Sequence, residues 1–296
     1  MVVLPVPALT ETAVRLVPAN QFSIEQLTQA YNQTRVDYVV PMPMNAARLA
    51  EYVRTYDVDL SASVVAMDGN EMLGLAMLGV RPHAAWITRL GVLPAARRRH
   101  IGRALMEALL TISDERRLPL TLLEVIKNNV PAYNLFVQCG FQPKSEMLVL
   151  RRPPGPPAHV PEGDVELLER EGALALLSER SDFETWVTAT DSLRNVDSLQ
   201  ALQVRLADGS RGWLVFQIQK LRLLPLLLTR FTLHTQAGEP RYVAEALLSF
   251  LYMLFPDLDT QVENVALNEP HLPAMLDLGF IEAFRRIEMY RVCPGL

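Results

Sequence analysis

Cysteine is nearly absent: Cys139 and Cys293 are the only two in 296 residues. They cannot form a disulfide framework or a CxxC metal pair, which fits a reducing cytosol. The five histidines (83, 100, 159, 234 and 271) show no metal-ligand spacing, so no metal is expected. The glycines form no Rossmann fingerprint and no Gly-Lys-Ser/Thr loop, and there is no G-x-S-x-G elbow. Excess basic charge is missing too. Against 33 acidic residues stand 28 basic ones, a net charge of -5, so a general nucleic-acid binder is disfavoured. The apolar stretch 246–255 is shorter than the roughly 20 residues a bilayer requires. The N-terminus lacks the basic start of a signal peptide. A soluble cytoplasmic protein, with no membrane or nucleic-acid partner, is the expectation.

Proline is plentiful, with 21 residues, and it is dense in RPPGPPAHVPE over 152–162. Such a run is a stiff extended connector. It separates an expected N-terminal domain, 1–153, from a C-terminal one, 163–296, through a linker over 154–162. In the first block the patterning predicts strands at 13–17, 61–67, 72–80, 85–93, 120–126 and 146–151. Helices are predicted at 23–31, 45–56, 101–116 and 130–139. Asn129 is placed to cap the last helix, Pro131 sits in its first turn, and Gly140 is placed to stop it. Asn129-x-Pro131…Gly140-Phe141 returns as Asn268-x-Pro270…Gly279-Phe280, and Glu124 as Glu263, all at one constant offset. A shared offset over a strand–helix–strand unit argues for internal duplication. Chance recurrence of cap and stop signals is the plainer alternative.

The stretch from Leu90 to Leu105 (LGVLPAARRRHIGRAL) carries the most chemistry. A strand ends, Pro94 breaks it, and a helix begins near His100. A helix N-terminus exposes unpaired N–H donors and a positive dipole end, so it prefers acids. Here Arg97, Arg98, Arg99 and Arg103 cluster instead. An anion among them, such as a pyrophosphate, reconciles this, with Gly102 allowing close approach. A solvated arginine run and a nucleic-acid contact are the competing readings.

This segment resembles motif A of the GNAT acetyltransferase superfamily, through Leu90, Val92, Pro94, Arg97, Gly102 and Leu105. His100 stands where the family has its first glycine. Asn129, Ala132, Leu135, Phe136, Gly140 and Phe141 resemble motif B. The resemblance implies two tandem GNAT folds of α/β (α+β) class. Each would be a mixed, mostly antiparallel twisted sheet with a splayed central strand pair flanked by helices. It implies acetyl-CoA as co-substrate, held by the strand backbone at Leu90, Gly91 and Val92. The loop and helix start from Arg97, Arg98, Arg99, His100, Ile101 and Gly102, with Arg103, would wrap the pyrophosphate, and Asn129 and Phe136 would flank the pantetheine arm.

The implied activity is acetyl transfer to a primary amine, of a small molecule or a peptide, by direct attack. The alternative is a non-catalytic acyl-CoA sensor or interaction module. The family's usual motif B tyrosine is Phe136 here, so Tyr133, one turn earlier, is the candidate acid; a packed aromatic is the plainer reading of it. Glu124 is the first carboxylate to consider as base, although its repeat at Glu263 equally suits a structural role. In the second copy Glu239 falls where Arg97 stands, which would repel a phosphate. That copy is expected to be degenerate, leaving a cleft-covering role or a homodimer surface.

Overall fold

The computed structural model describes residues 14–40, 42–159, 162–180, 184–221 and 224–294. The expected first strand therefore begins, at position 13, outside the described residues. The chain runs twice through one order of elements. The first pass is β1 (Arg15–Pro18), α1 (Ile24–Gln33), α2 (Ala46–Thr55), β2 (Val64–Asp68), β3 (Glu71–Arg81), β4 (Ala84–Val92), α3 (Ile101–Glu115), β5 (Leu120–Ile126), α4 (Val130–Gln138) and β6 (Gln142–Arg152). The second is β7 (Gly163–Leu168), α5 (Arg170–Leu177), α6 (Thr190–Arg194), β8 (Leu199–Leu206), β9 (Arg211–Leu221), β10 (Leu224–Ala237), α7 (Pro240–Leu254), β11 (Asp259–Ala266), α8 (Leu272–Asp277) and β12 (Ile281–Val292). The repetition thus spans whole halves, well beyond the one unit that shares a sequence pattern.

Local signals set the helix ends. Ser23 and Gln26 form a reciprocal capping box on α1. Asn45 caps α2 and Asn129 caps α4, each side chain accepting a main-chain N–H three residues on. Gly140 and Gly279 end α4 and α8 at φ 88° and 89°, left-handed values that suit glycine. Helix α8 lacks the first turn of α4, and His271, not Asn268, stands at its N-cap.

The two halves share one 12-stranded sheet, in the order β1-β2-β3-β4-β5-β12-β6-β11-β10-β9-β8-β7. Each half gives its last strand to the other. Strand β12 pairs antiparallel with β5 (Arg286 opposite Ile126), and β6 pairs with β11 (Leu150 opposite Val262). The donated strands also pair with each other, Arg286 lying opposite Met147. Among the described strands only β4–β5 and β10–β11 are parallel.

Helix α3 packs Ile101, Leu105 and Leu109 on one face of the N-terminal sheet, while α1 and α2 bury Leu27, Tyr31, Leu49 and Tyr52 on the other. That second layer also takes Trp186 from the C-terminal half. Its ring stacks on Trp86 (centroids 5.8 Å apart), and its indole N–H donates to the Tyr56 carbonyl at 3.0 Å. Gly79 makes room, since a Cβ there would sit 2.9 Å from the Trp186 ring.

The exchange predicts that neither half folds alone. Without β12, strand β5 loses its antiparallel neighbour and β6 has no partner at all. Residues 1–153 expressed alone should be aggregated or lack cooperative unfolding, whereas co-expression with 154–296 should restore a soluble complex; circular dichroism melts and size-exclusion chromatography would show either.

Candidate active site between the halves

Beta bulges open the sheet at two equivalent places. In β4, Met77 of β3 faces Thr88 and Leu75 faces Gly91, so two residues, Arg89 and Leu90, stand against one. In β10, Gln217 faces Thr229 and Val215 faces Thr232, leaving Arg230 and Phe231 against one. Arg89 and Arg230 take φ 54° and 57°, a left-handed conformation that costs a non-glycine residue about 1–3 kcal/mol. Pairing of β4 with β5 stops at Ile87–Leu123, and that of β10 with β11 at Leu228–Thr260. Beyond those points the strands diverge.

A cavity of about 480 Å³ lies where the divergences meet. Its walls come from α2, β4, β5, α4, the 187–193 segment, β10, β11 and β12. Glu124 reaches it from β5. One Nη of Arg286, on β12, donates to Glu124 and to Glu263 at 3.1 Å each, and to the Asn264 side-chain oxygen at 3.0 Å. Asn264 donates in turn to Glu124 at 2.7 Å. Glu263 and Asn264 occupy a third bulge, in β11 opposite the donated strand β6.

The two carboxylates part in acidity. Burial raises the pKa of Glu124, and Arg286 only partly opposes it. Burial pushes Glu263 the same way, but Arg286, Arg230 and Arg89 more than offset it, so its pKa is lowered. Tyr52 donates or accepts at 2.5 Å from Thr88, and burial raises its pKa.

Leu90, Asn129 and Phe136 line the cavity. The Leu90 carbonyl accepts from Arg35 at 3.1 Å. Gly91 and Val92 lie on the part of β4 unpaired with β5, and a Cβ at 91 would overlap the Thr34 side chain. Tyr133 is not brought to the cavity. It packs against the core under α3, whereas Phe136 and Ala132, on the neighbouring face of α4, turn inward. Tyr38 lines the cavity instead, its hydroxyl accepting from the Asn129 amide at 3.4 Å.

The arginine cluster is largely committed. Arg97 holds Asp37 with two bonds of 2.6 Å, tying the loop to the end of α1. Arg99 reaches Asp68 at 3.3 Å; Arg103 reaches Gln138 at 2.7 Å and Glu107 at 3.5 Å. Protein carboxylates therefore offset part of the repulsion that the sequence suggested an anion would relieve. The main chain of α3 is uncommitted. Its N-terminus has no side-chain cap and no acid in its first turn. Ile101 is buried, so only its backbone can serve a ligand. His100, the N-cap, sits at φ 60°, where the family's glycine would be unstrained and histidine is tolerated better than most. In the second half Glu239 caps α7, accepting from the Tyr242 N–H at 2.8 Å, and Pro240, the first residue of the helix, has no N–H to offer.

Several site residues escaped the sequence reading: Arg89, Arg230, Arg286 and Trp86 on the lining, and Asn264 behind it. No motif marks them, and their partners lie tens to more than a hundred residues away, with Arg89, Arg230 and Asn264 in bulges that periodicity does not reveal.

Among the described residues no three metal-ligating side chains are grouped, and no helix is long and apolar enough to cross a membrane. No curated protein sequence is significantly similar to the chain. Residues 24–141 match the model of the Acetyltransferase (GNAT) family. The chain is similar to a tandem GNAT protein from the clavulanic acid biosynthesis pathway, with a TM-score of 0.69 at 15% identity over 96% of this chain and 100% of that one. It is similar also to a GCN5-related N-acetyltransferase from Sphaerobacter thermophilus, with a TM-score of 0.66 at 19% identity over 96% and 97%. Identities this low speak for the fold alone. Residues 24–141 are thus a domain of the GNAT acetyltransferase family, and the whole chain has the fold of a tandem GNAT protein.

Proposed function

We propose that the chain moves the acetyl group of acetyl-CoA to a primary amine by direct attack, at one site per chain. The observation that carries this reading is the joining of three features: the β4–β5 divergence, an uncapped helix N-terminus at one end of it, and a buried carboxylate at the other. The residues fit the co-substrate. The N–H groups of Ile101, Gly102 and Arg103 suit the pyrophosphate, with Arg98 and Arg99 beside them. The backbone of Leu90, Gly91 and Val92 suits the pantetheine amides. Acetyl-CoA supplies the activated thioester. Glu124, its pKa raised by burial, is suited to take the proton of the attacking amine, while Arg286 orients it and Glu263 stays ionised. Tyr38, bonded to Asn129, is suited to protonate the leaving thiolate, the role the sequence suggested for Tyr133.

The second half is read as having no equivalent site, because Glu239 takes the Tyr242 N–H, Pro240 has none, and the carboxylate would repel a phosphate. Calorimetric titration with acetyl-CoA should therefore give one site per chain. Gly102→Glu adds charge and bulk to the phosphate-binding loop, where a Cβ would meet Leu135 at 3.4 Å. It should abolish binding while the fold survives. Two sites per chain would contradict the assignment; no binding by folded wild-type protein would favour an interaction module.

Glu124 must be ionised to act as base, so activity should rise with pH as it loses its proton. Since burial raises its pKa, the acid limb of kcat/KM should lie above the ordinary glutamate value of about 4.3. Glu124→Gln should lower kcat by about 10²–10⁴ and remove that limb. A variant that keeps kcat within a few-fold would make Glu124 only a structural partner of Arg286.

A further inference from the structure

The chain as a whole is acidic, at -5, yet the cavity lining holds five arginines against three glutamates. Four of the arginines donate hydrogen bonds. Arg286 serves the two carboxylates, Arg35 lies against the Tyr31 and Tyr38 rings and donates to Leu90 while its Nε has no acceptor, and Arg48 donates to Gln219 at 2.6 Å. Arg89, the fourth, and Arg230 are the bulge arginines. Arg89 lies 4.0 Å over the Tyr52 ring and donates to the Tyr31 hydroxyl at 3.1 Å, while its Nε is buried with no acceptor. Arg230 lies 4.8 Å from the Tyr56 ring centroid and, among the described residues, makes no hydrogen bond. The indole N–H of Trp86, also on the lining, is buried and unpartnered too.

A buried donor without an acceptor is costly, and a buried guanidinium more so. Arg89 bears that cost, and Arg230 stands at the matching position of the second half; each strand is bent into a strained bulge that keeps its arginine at the cavity. Two guanidinium side chains on the lining of one cavity, one of them without a hydrogen bond among the described residues, call for a ligand group that accepts hydrogen bonds and carries negative charge. A protonated polyamine would be repelled by the two guanidinium groups.

We propose that the acceptor amine also carries an anionic group with acceptor oxygens, a carboxylate or a phosphate, held between Arg89 of one half and Arg230 of the other. The amine part of this inference rests on the acetyl-transfer reading; the anion part does not. Arg89 and Arg230 recognise the acid, and Glu124 meets the amine. Anchoring by both halves also explains why the pocket needs the C-terminal half even though that half supports no second phosphate site.

The test separates the two parts. Succinate, and separately inorganic phosphate, are titrated calorimetrically into the full chain, wild type, Arg230→Met and Arg230→Lys. One anion should bind per chain, about 10- to 100-fold more weakly in Arg230→Met, with Arg230→Lys between. The tighter probe identifies the group. Arg230→Met should keep the wild-type circular dichroism spectrum and a cooperative melt without ligand; this shows that the variant folds. Acetylation is then compared for matched pairs, an α-amino acid against its decarboxylated amine and phosphoethanolamine against ethanolamine. The anionic member should have at least a ~10-fold lower KM, and Arg230→Met should narrow the gap. Failure of both probes to bind folded wild type, equal binding by Arg230→Met, or equal KM within the pairs would overturn the anion site and leave acetyl transfer standing. Anion binding that depends on Arg230, with no amine acetylated, would remove the transferase reading and leave the anion site.

Discussion

The site depends on the exchange of β6 and β12 between the halves. A strand end within a sheet must find a partner for its backbone groups, and here each half supplies what the other lacks. Because β12 lies beside β5, Arg286 comes next to Glu124, although 162 residues separate them in sequence. Because β6 lies beside β11, the bulge of β11 is held where Glu263 and Asn264 can reach the same arginine. Without the exchange the carboxylates would lack the cation that makes their burial tolerable. Removing one partner of such a network leaves an uncompensated buried charge, at a cost of about 3–5 kcal/mol.

The bulges are the second constraint. A regular β4 would continue its ladder with β5 and close the space between them. One extra residue turns the strand away and leaves it unpaired with β5 from Thr88 onward, while Gly91 and Val92 stay paired with β3. The left-handed backbone at Arg89 and Arg230 is the local cost, and an arginine directed at the cavity is the result. Geometry and electrostatics therefore share one cause: the residue that opens the sheet also charges the opening.

How much of this could be read in the sequence follows from the range of the interactions. Helix caps and stops act within a turn, so Asn129, Gly140 and the start of α3 near His100 were legible, as was the strand order around motif A. The second half from 163 to 235 left less trace, because its strands share the repeated topology but no surviving motif. Arg97 misled for a physical reason. A cationic helix start implies a compensating anion, and sequence cannot show that Asp37, sixty residues earlier, already serves as one. Helical proximity to Phe136 points to Tyr133, but three residues along a helix turns a side chain by about 60° from its neighbour's direction, enough to face it into the core. Tyr38 arrives from a turn after α1, where no periodicity guides the eye.

The duplication also shows how two like halves come to do different work. Both have a divergent strand pair, a bulge arginine and a helix beginning at the mouth of the divergence. They differ at the helix start. Helix α3 begins with free N–H groups under a strained histidine, whereas α7 begins with Glu239 on its own donors. A helix N-terminus can satisfy its donors internally, which stabilises the fold, or leave them for a ligand, which does not. One half has taken each course. The second half keeps its bulge arginine on the lining of the common cavity, while its helix start is capped by its own Glu239.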